Sequence, residues 1–362
     1  MGIYERLGVR TLINARGTYT YLSGSVMPPE VVAAMTEAAR SFVDIHELHA
    51  AVGARIALLT GAEAALVTAG AAAALLQGTA ACVVGCDAER IKRLPDVTGL
   101  KDEVVIQKAH RNAYDHAIQT VGVRLVEVET AEEMQAAAGP QTAMLHYTSA
   151  FGPDGKISLE EVVALGKATS IPVFVDAAAE LPPAENLCGI VAMGADLVTF
   201  SGGKGLRGPQ ASGLLLGRRD LVEAAAANGC PNHSIGRPMK AGKEEIVGLL
   251  RAVELYLERD HEAEWAQWED QIDHIARRVA DIPGVETGRV PEHVLNHVPR
   301  LYVKIDADAV GKTQDGAVEA LRSGDPKIEV LTTEMGLTIS PNTLMPGEEK
   351  TLARRLREIL TT

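Results

Sequence analysis

From residue 60 to residue 204 the chain repeats one pattern: a short apolar run, a break rich in glycine or polar residues, then a helical stretch. The apolar runs fall at 64–67, 103–107, 124–128, 143–147, 171–175 and 197–200. Strands alternating with helices at this spacing build βαβ units, and these close into a largely parallel sheet. Such a sheet collects ligands beyond the C-terminal ends of its strands. The Thr68 turn, His110, Thr148, Asp176 and the segment from Ser201 to Lys204 all stand at such ends, which puts five candidates on one rim.

Two of those ends carry complementary chemistry. The run 171–175 leads into Asp176, and the run 197–200 leads into Ser201-Gly202-Gly203-Lys204-Gly205. A lysine amine attacks an aldehyde only when neutral, and a confined, partly desolvated site moves it towards that state. An aspartate beside it suits the ring nitrogen of pyridoxal 5'-phosphate, which a carboxylate keeps protonated. Glycines around Lys204 let the backbone come close to such a group. The plain alternative is a Gly-rich surface loop with a solvated lysine. Upstream, Thr68-Ala69-Gly70-Ala71 turns a short strand into an Ala-rich helix. Its free N–H groups and dipole make it a phosphate seat, and simple helix-on-sheet packing is the competing explanation.

Composition narrows the function classes. A formal net charge of −13 argues against nucleic acid or an anionic membrane as main partner. No apolar stretch reaches the ~20 residues of a membrane span. The first residues lack the apolar core of a signal peptide. Cys82, Cys86, Cys188 and Cys230 are too sparse for a disulfide scaffold and read as reduced thiols of a cytoplasmic protein. His46 and His49 lie three apart on a helix, yet a lone pair at that spacing is more often a surface or subunit contact, so no metal is expected.

Past residue 217 the pattern changes. A polar loop covers 229–240, a long helical stretch in two pieces runs over 243–281, and short strands at 300–305, 329–331 and 336–339 precede a last helix. The expected organisation is an N-terminal arm (1–27), a large α/β domain (28–250) and a small C-terminal α+β domain (251–362).

The segment Phe200-Ser201-Gly202-Gly203-Lys204-Gly205-Leu206-Arg207-Gly208-Pro209-Gln210-Ala211-Ser212-Gly213 resembles the lysine segment of bacterial selenocysteine synthase. Leu12-Ile13-Asn14-Ala15-Arg16-Gly17-Thr18 and Gly61-Ala62-Glu63-Ala64 resemble the same family, so the likeness covers nearly the whole chain. It implies fold type I of the pyridoxal-phosphate (PLP) enzymes, with a mostly parallel seven-stranded sheet, helices on both faces and a small C-terminal domain. Selenocysteine synthase carries an additional N-terminal region that engages tRNA; here the family core begins within about ten residues of Met1, and the charge is acidic. The chain is therefore more similar to the small-molecule branch that includes D-glucosaminate-6-phosphate ammonia-lyase. Phe42-Val43-Asp44, Gly236-Arg237-Pro238-Met239-Lys240 and Gly242-Lys243-Glu244-Glu245 look typical of it.

Carried over, the resemblance implies Lys204 as the Schiff-base lysine and Asp176 as partner of the ring nitrogen. The backbone of Gly70 and Ala71, with the Ser201 hydroxyl, holds the cofactor phosphate, and His110 stacks on the ring or serves as an acid. Arg16, Arg207 and Arg237 are candidates to grip a substrate carboxylate or phosphate. The implied reaction is α,β-elimination from a 2-amino-3-hydroxy acid to a 2-keto-3-deoxy acid and ammonia. Racemisation or epimerisation, aldol cleavage and β-replacement share the same residues. A homodimer or larger homo-oligomer, acting on a small amino acid, is implied as well.

Overall fold

The computed structural model describes residues 2–291 and 297–362; Met1, the first residue of the expected arm, lies outside them. The chain divides into two units, one of residues 27–259 and one joining residues 1–26 to 260–362. The N-terminal stretch thus groups with the C-terminal residues instead of standing as an arm of its own. The cause is strand pairing: β1 (Leu12–Ala15) carries apolar residues that would otherwise face water.

In the unit 27–259 seven strands form one sheet: β2 (Ala64–Thr68), β3 (Glu103–Gln107), β4 (Arg124–Val128), β5 (Thr142–Thr148), β6 (Val173–Asp176), β7 (Leu197–Ser201) and β8 (Gly213–Gly217). Their spatial order is β2-β8-β7-β6-β5-β3-β4. β8 runs antiparallel to both neighbours, and the other neighbouring pairs are parallel. The expected mostly parallel seven-stranded sheet is therefore present, with one reversed strand that the sequence reading leaves unassigned.

Helices cover both faces. On one face the helix Ala71–Val84 lays Ala74, Leu75 and Leu76 against Phe174, Leu197 and Leu215. Gly78 of this helix allows the contact, because a Cβ there would meet the Phe174 ring. The opposite face is covered by Ile56, Val162, Leu187, Leu249 and Val253, from four further helices. Burying a large side chain of this kind contributes roughly 1.5–3 kcal/mol, so the two-sided core holds the rim in place. Ser158 starts the helix Leu159–Thr169 with a reciprocal capping box to Glu161. The helix Lys243–Glu258 crosses the border expected at residues 250–251.

The other unit has a five-stranded sheet in the order β1-β11-β12-β10-β9, with β9 at Val285–Arg289, β10 at Leu301–Ile305, β11 at Lys327–Thr333 and β12 at Gly336–Ile339. β1 pairs parallel to β11, with Ile13 opposite Ile328 and Ala15 opposite Val330. Ile272, Ile275, Leu352 and Leu356 pack on this sheet from the helices His261–Val279 and Glu348–Thr361. Among the described residues no helix is long and apolar enough to cross a membrane.

Candidate active site

Strand register assembles the site. Thr148 at the end of β5 lies opposite Asp176 of β6, and Asp176 lies opposite Thr199 of β7. Two residues further along β7, Ser201 pairs with Gly213 of β8, and Gly213 pairs with Thr68 of β2. Because side chains alternate along a strand, Thr148, Asp176 and Thr199 form a row on the face covered by the helix Ala71–Val84. They sit where that helix begins.

The helix start is built for close approach. Gly70 takes φ +108°, a conformation that side chains with a Cβ rarely adopt. Gly213 runs so near the turn that a Cβ on it would lie 2.6 Å from the Ala71 nitrogen. The Thr68 hydroxyl donates to the Gly70 carbonyl at 2.9 Å and fixes the turn. Gly70, Ala71 and Ser201 are thus brought together around Gly213. The first N–H groups of the helix lack intrahelical partners, as at any helix start.

Lys204 follows in a tight turn after β7. The Gly202 N–H donates to the Ser212 carbonyl at 2.9 Å, and the Gly208 N–H returns to the Gly202 carbonyl at 2.8 Å. A side chain at Gly203 would place Cβ 2.6 Å from the Gln210 Cα, and one at Gly205 would collide with the Leu181 carbonyl. The glycines around Lys204 are therefore demanded by backbone contact. Burial pushes the Lys204 amine below the usual lysine range, while Asp176 and then Glu180 draw it back. Asp176 is 7% exposed and accepts the Ala178 N–H at 3.0 Å. Burial pushes its carboxyl above the usual range, against the pull of that hydrogen bond and of Lys204. Each of the two groups is desolvated, and each favours the charged form of the other.

His110 is on the same rim but is fully buried. Its Nδ1 accepts the Thr148 N–H at 3.3 Å, and its ring meets Tyr147 edge-on with centroids 4.6 Å apart. Burial pushes its imidazole down to about 4, so it is neutral at neutral pH. Arg207 lies in the lysine turn with φ +57°, its N–H donating to the Lys204 carbonyl at 3.0 Å. The Arg237 Nη1 lies 3.7 Å from Cys230 Sγ. Arg16 belongs to the other unit. His46 and His49 line a groove of about 670 Å³ with Cys230 and Arg219. Among the described residues no three His, Cys, Asp or Glu side chains are grouped to hold a metal ion.

Several residues of the site escape sequence reasoning. Glu180 is 7% exposed, and the carbonyl of the next residue, Leu181, packs on Gly205. Its spacing four residues after Asp176 is the only signal that could have pointed to it. Thr199 is fully buried, and among the described residues its hydroxyl finds no partner. His146 is buried behind Thr148, with Nε2 3.3 Å from the Thr148 hydroxyl, and desolvation pushes it down to about 4.

Comparison with known proteins agrees with this geometry. Residues 12–268 match the family described as SelA, L-seryl-tRNA selenium transferase. A 5'-C-glycyluridine monooxygenase-decarboxylase of a Streptomyces species is 36% identical over 99% of this chain and 92% of its own length. A D-glucosaminate-6-phosphate ammonia lyase of Salmonella typhimurium is 32% identical over 99% of this chain and 97% of its own. A solved D-glucosaminate-6-phosphate ammonia-lyase superposes with TM-score 0.87 at 32% identity, covering 99% of this chain and 98% of that one. Serine palmitoyltransferase of S. paucimobilis, at 15% identity and TM-score 0.60 over 97% and 87% of the two chains, shares the fold, which is fold type I. The chain belongs to the SelA family.

Proposed function

We propose that this chain is a pyridoxal-phosphate enzyme that releases ammonia from a small 2-amino-3-hydroxy acid of the amino-sugar type, such as D-glucosaminate 6-phosphate. The observation that carries the reading is the desolvated pair of half-buried Lys204 and buried Asp176 at the helix start, in a chain that matches an ammonia lyase over nearly its whole length. The residues fit the cofactor. A desolvated carboxylate with a single hydrogen bond suits a cationic ring N–H, and the buried Thr199 hydroxyl beside it has a hydrogen bond still to make. The start of the helix Ala71–Val84, with Ser201, suits a phosphate.

When bound, the cofactor supplies an electron sink for the pair left at Cα. The protein does the rest. Asp176 keeps a proton on the ring nitrogen. Lys204, held towards its neutral form by burial, anchors the cofactor and, once displaced, takes the Cα proton as general base. The β-hydroxyl leaves as water and needs a proton; Lys204 carries one, whereas neutral His110 is placed to brace Thr148. Hydrolysis of the resulting enamine returns the water, so one amino hydroxy acid yields one keto acid and one ammonia with no net redox change. Arg207, in the lysine turn, is the arginine of this unit that we assign to an acidic group of the substrate, ahead of Arg237. The enzyme works in the cytoplasm as a homodimer or larger assembly. The acidic charge and four free thiols support the compartment, and light scattering after size exclusion tests the assembly.

The direct test is a visible spectrum of the PLP-loaded protein beside Lys204→Ala, before and after D-glucosaminate 6-phosphate. An absorption band lost in the variant, with ammonia and keto acid formed in step by the wild type, is the expected result. A band without ammonia from any hydroxy-amino acid would sink the lyase reading.

A second reading is oxidative decarboxylation, favoured by the 36% identity to the monooxygenase-decarboxylase. It requires O₂ consumption and CO₂ release, so the same assay run without oxygen separates the two. Elimination continues under nitrogen, and the oxidative reaction stops.

A further inference from the structure

β5 ends beside Asp176, and the chain then passes through the short helical turn Ser149–Asp154 before the helix Leu159–Thr169. The turn packs on the ends of β5 and β6, at the edge where a parallel sheet collects its ligands. A rim loop of this kind is ordinarily the more mobile part of a fold. Here it is pinned at both ends by buried side chains.

At its start the Thr148 N–H donates to Nδ1 of fully buried His110 at 3.3 Å. At its end Gln107, the buried last residue of β3, grips Ile157 twice. The Gln107 Nε2 donates to the Ile157 carbonyl at 2.8 Å, and its Oε1 accepts the Ile157 N–H at 2.9 Å. An amide paired with both backbone groups of one residue fixes that residue's place and its orientation. Two glycines let the loop lie close on this bed. A Cβ at Gly155 would come within 2.6 Å of His110 Nε2 and 2.7 Å of Gln107 Oε1, and one at Gly152 within 2.9 Å of the Tyr147 hydroxyl. The Gly155 N–H closes the turn on the Gly152 carbonyl at 3.2 Å. Between the pins stand exposed Ala150 and half-buried Phe151, the aromatic residue of the loop. The helix that follows has its own start, a capping box between Ser158 and Glu161, so the clamp serves the loop. A wall held this firmly can tell one substrate from another.

We propose that the loop Ser149–Asp154 is the specificity wall of the site, with Phe151 set against the substrate chain beyond Cβ and Gln107 as the positioning residue that holds the loop in place. The inference rests on the pyridoxal-phosphate reading above and adds a division of labour to it. Asp176 and Lys204 serve the atoms that every 2-amino-3-hydroxy acid shares, and the loop meets the part that differs.

The test titrates the visible band of the PLP-loaded protein with D-glucosaminate 6-phosphate and, separately, with D-serine, whose chain stops at Cβ. Phe151→Ala and Gln107→Leu should each weaken D-glucosaminate 6-phosphate by about tenfold and leave D-serine within about twofold of wild type. Hydrogen exchange at the Ile157 N–H should quicken in Gln107→Leu and stay as it is in Phe151→Ala. Variants that bind the sugar acid as wild type does, or that lose both ligands alike, overturn the proposal. Unaltered exchange in a folded Gln107→Leu protein overturns the role of Gln107. If Gln107→Leu does not fold, Phe151→Ala decides, because its side chain is half-buried on a rim loop. A wild type without a ligand-responsive band would sink the cofactor reading, and this inference with it, before any variant is compared.

Discussion

The two ends of the central strands treat charge in opposite ways. At the C-terminal ends of β6 and β7, buried Asp176 and half-buried Lys204 are desolvated and pushed from their ordinary range, and among the described residues the Thr199 hydroxyl of β7 has no partner. At the N-terminal ends, Asp196 accepts the Val173 N–H at 2.8 Å and binds Arg218 Nη1 at 2.8 Å, while Arg218 Nε holds Asp220 at 2.7 Å. That lower edge is satisfied and partly solvated. The Thr199 hydroxyl left wanting beside Asp176 is one that a ligand can use, which is the usual signature of a site held at some cost to stability.

Breaking the rim should cost chemistry and leave the fold intact. Lys204→Ala is expected to lower ammonia release by about 10³-fold or more, since it removes anchor and base together. Its melting temperature should match or exceed wild type, because a desolvated amine is gone. Asp176→Asn comes next, with a loss of about 10²-fold in kcat and weaker retention of the visible band on dialysis. A variant that keeps the band but loses activity would confine Asp176 to electronics and leave binding to other groups.

Asp176 also sets a pH test. In the cofactor-free protein its carboxyl is raised, so the native state holds that proton more tightly than the unfolded chain. The stability this contributes is present at low pH and is lost as pH rises through the native value, beginning near about pH 4. Lys204 acts in the other sense: its lowered amine makes stability rise with pH towards its ordinary value of 10.5. Urea unfolding across pH should show the first slope flattened in Asp176→Asn and the second absent in Lys204→Ala.

Breaking the lower edge should do the reverse. Asp196→Ala leaves the Val173 N–H and the Arg218 Nη1 without their acceptor and should destabilise by about 1–2 kcal/mol, with kcat unchanged. A drop in kcat without a drop in melting temperature would erase the contrast between the two ends. The smallest expected effect is that of Glu180→Gln. Glu180 draws the Lys204 amine upward, so its loss should move the acidic limb of the pH–rate profile, set by the general base, to lower pH.

Much of the rim is legible in the chain because it depends on local order. Strand, turn and helix at 64–84 follow from an apolar run, a glycine and an alanine-rich stretch, and the structure places them at Ala64–Thr68 and Ala71–Val84. Asp176 and Lys204 each end a recognisable strand. His110 was equally legible as a rim residue, yet its complete burial under Thr148 and Tyr147 was not, because burial depends on what packs above it. Gly213–Gly217 reads as three leucines between glycines, and nothing local says that it slots backwards between β2 and β7.

By itself, then, the sequence determined the alternation of strands and helices, the parallel sheet and the acid–lysine pair at its rim, all set by hydrophobic period and turn chemistry over short spans. Tertiary structure alone decided that Leu12–Ala15 pairs with Lys327–Thr333, that Glu180 sits within reach of Lys204 and that Arg300 lies beside Tyr19 and Ser340. Each of these joins residues through the packing of distant segments, and desolvation exists only once those segments have met.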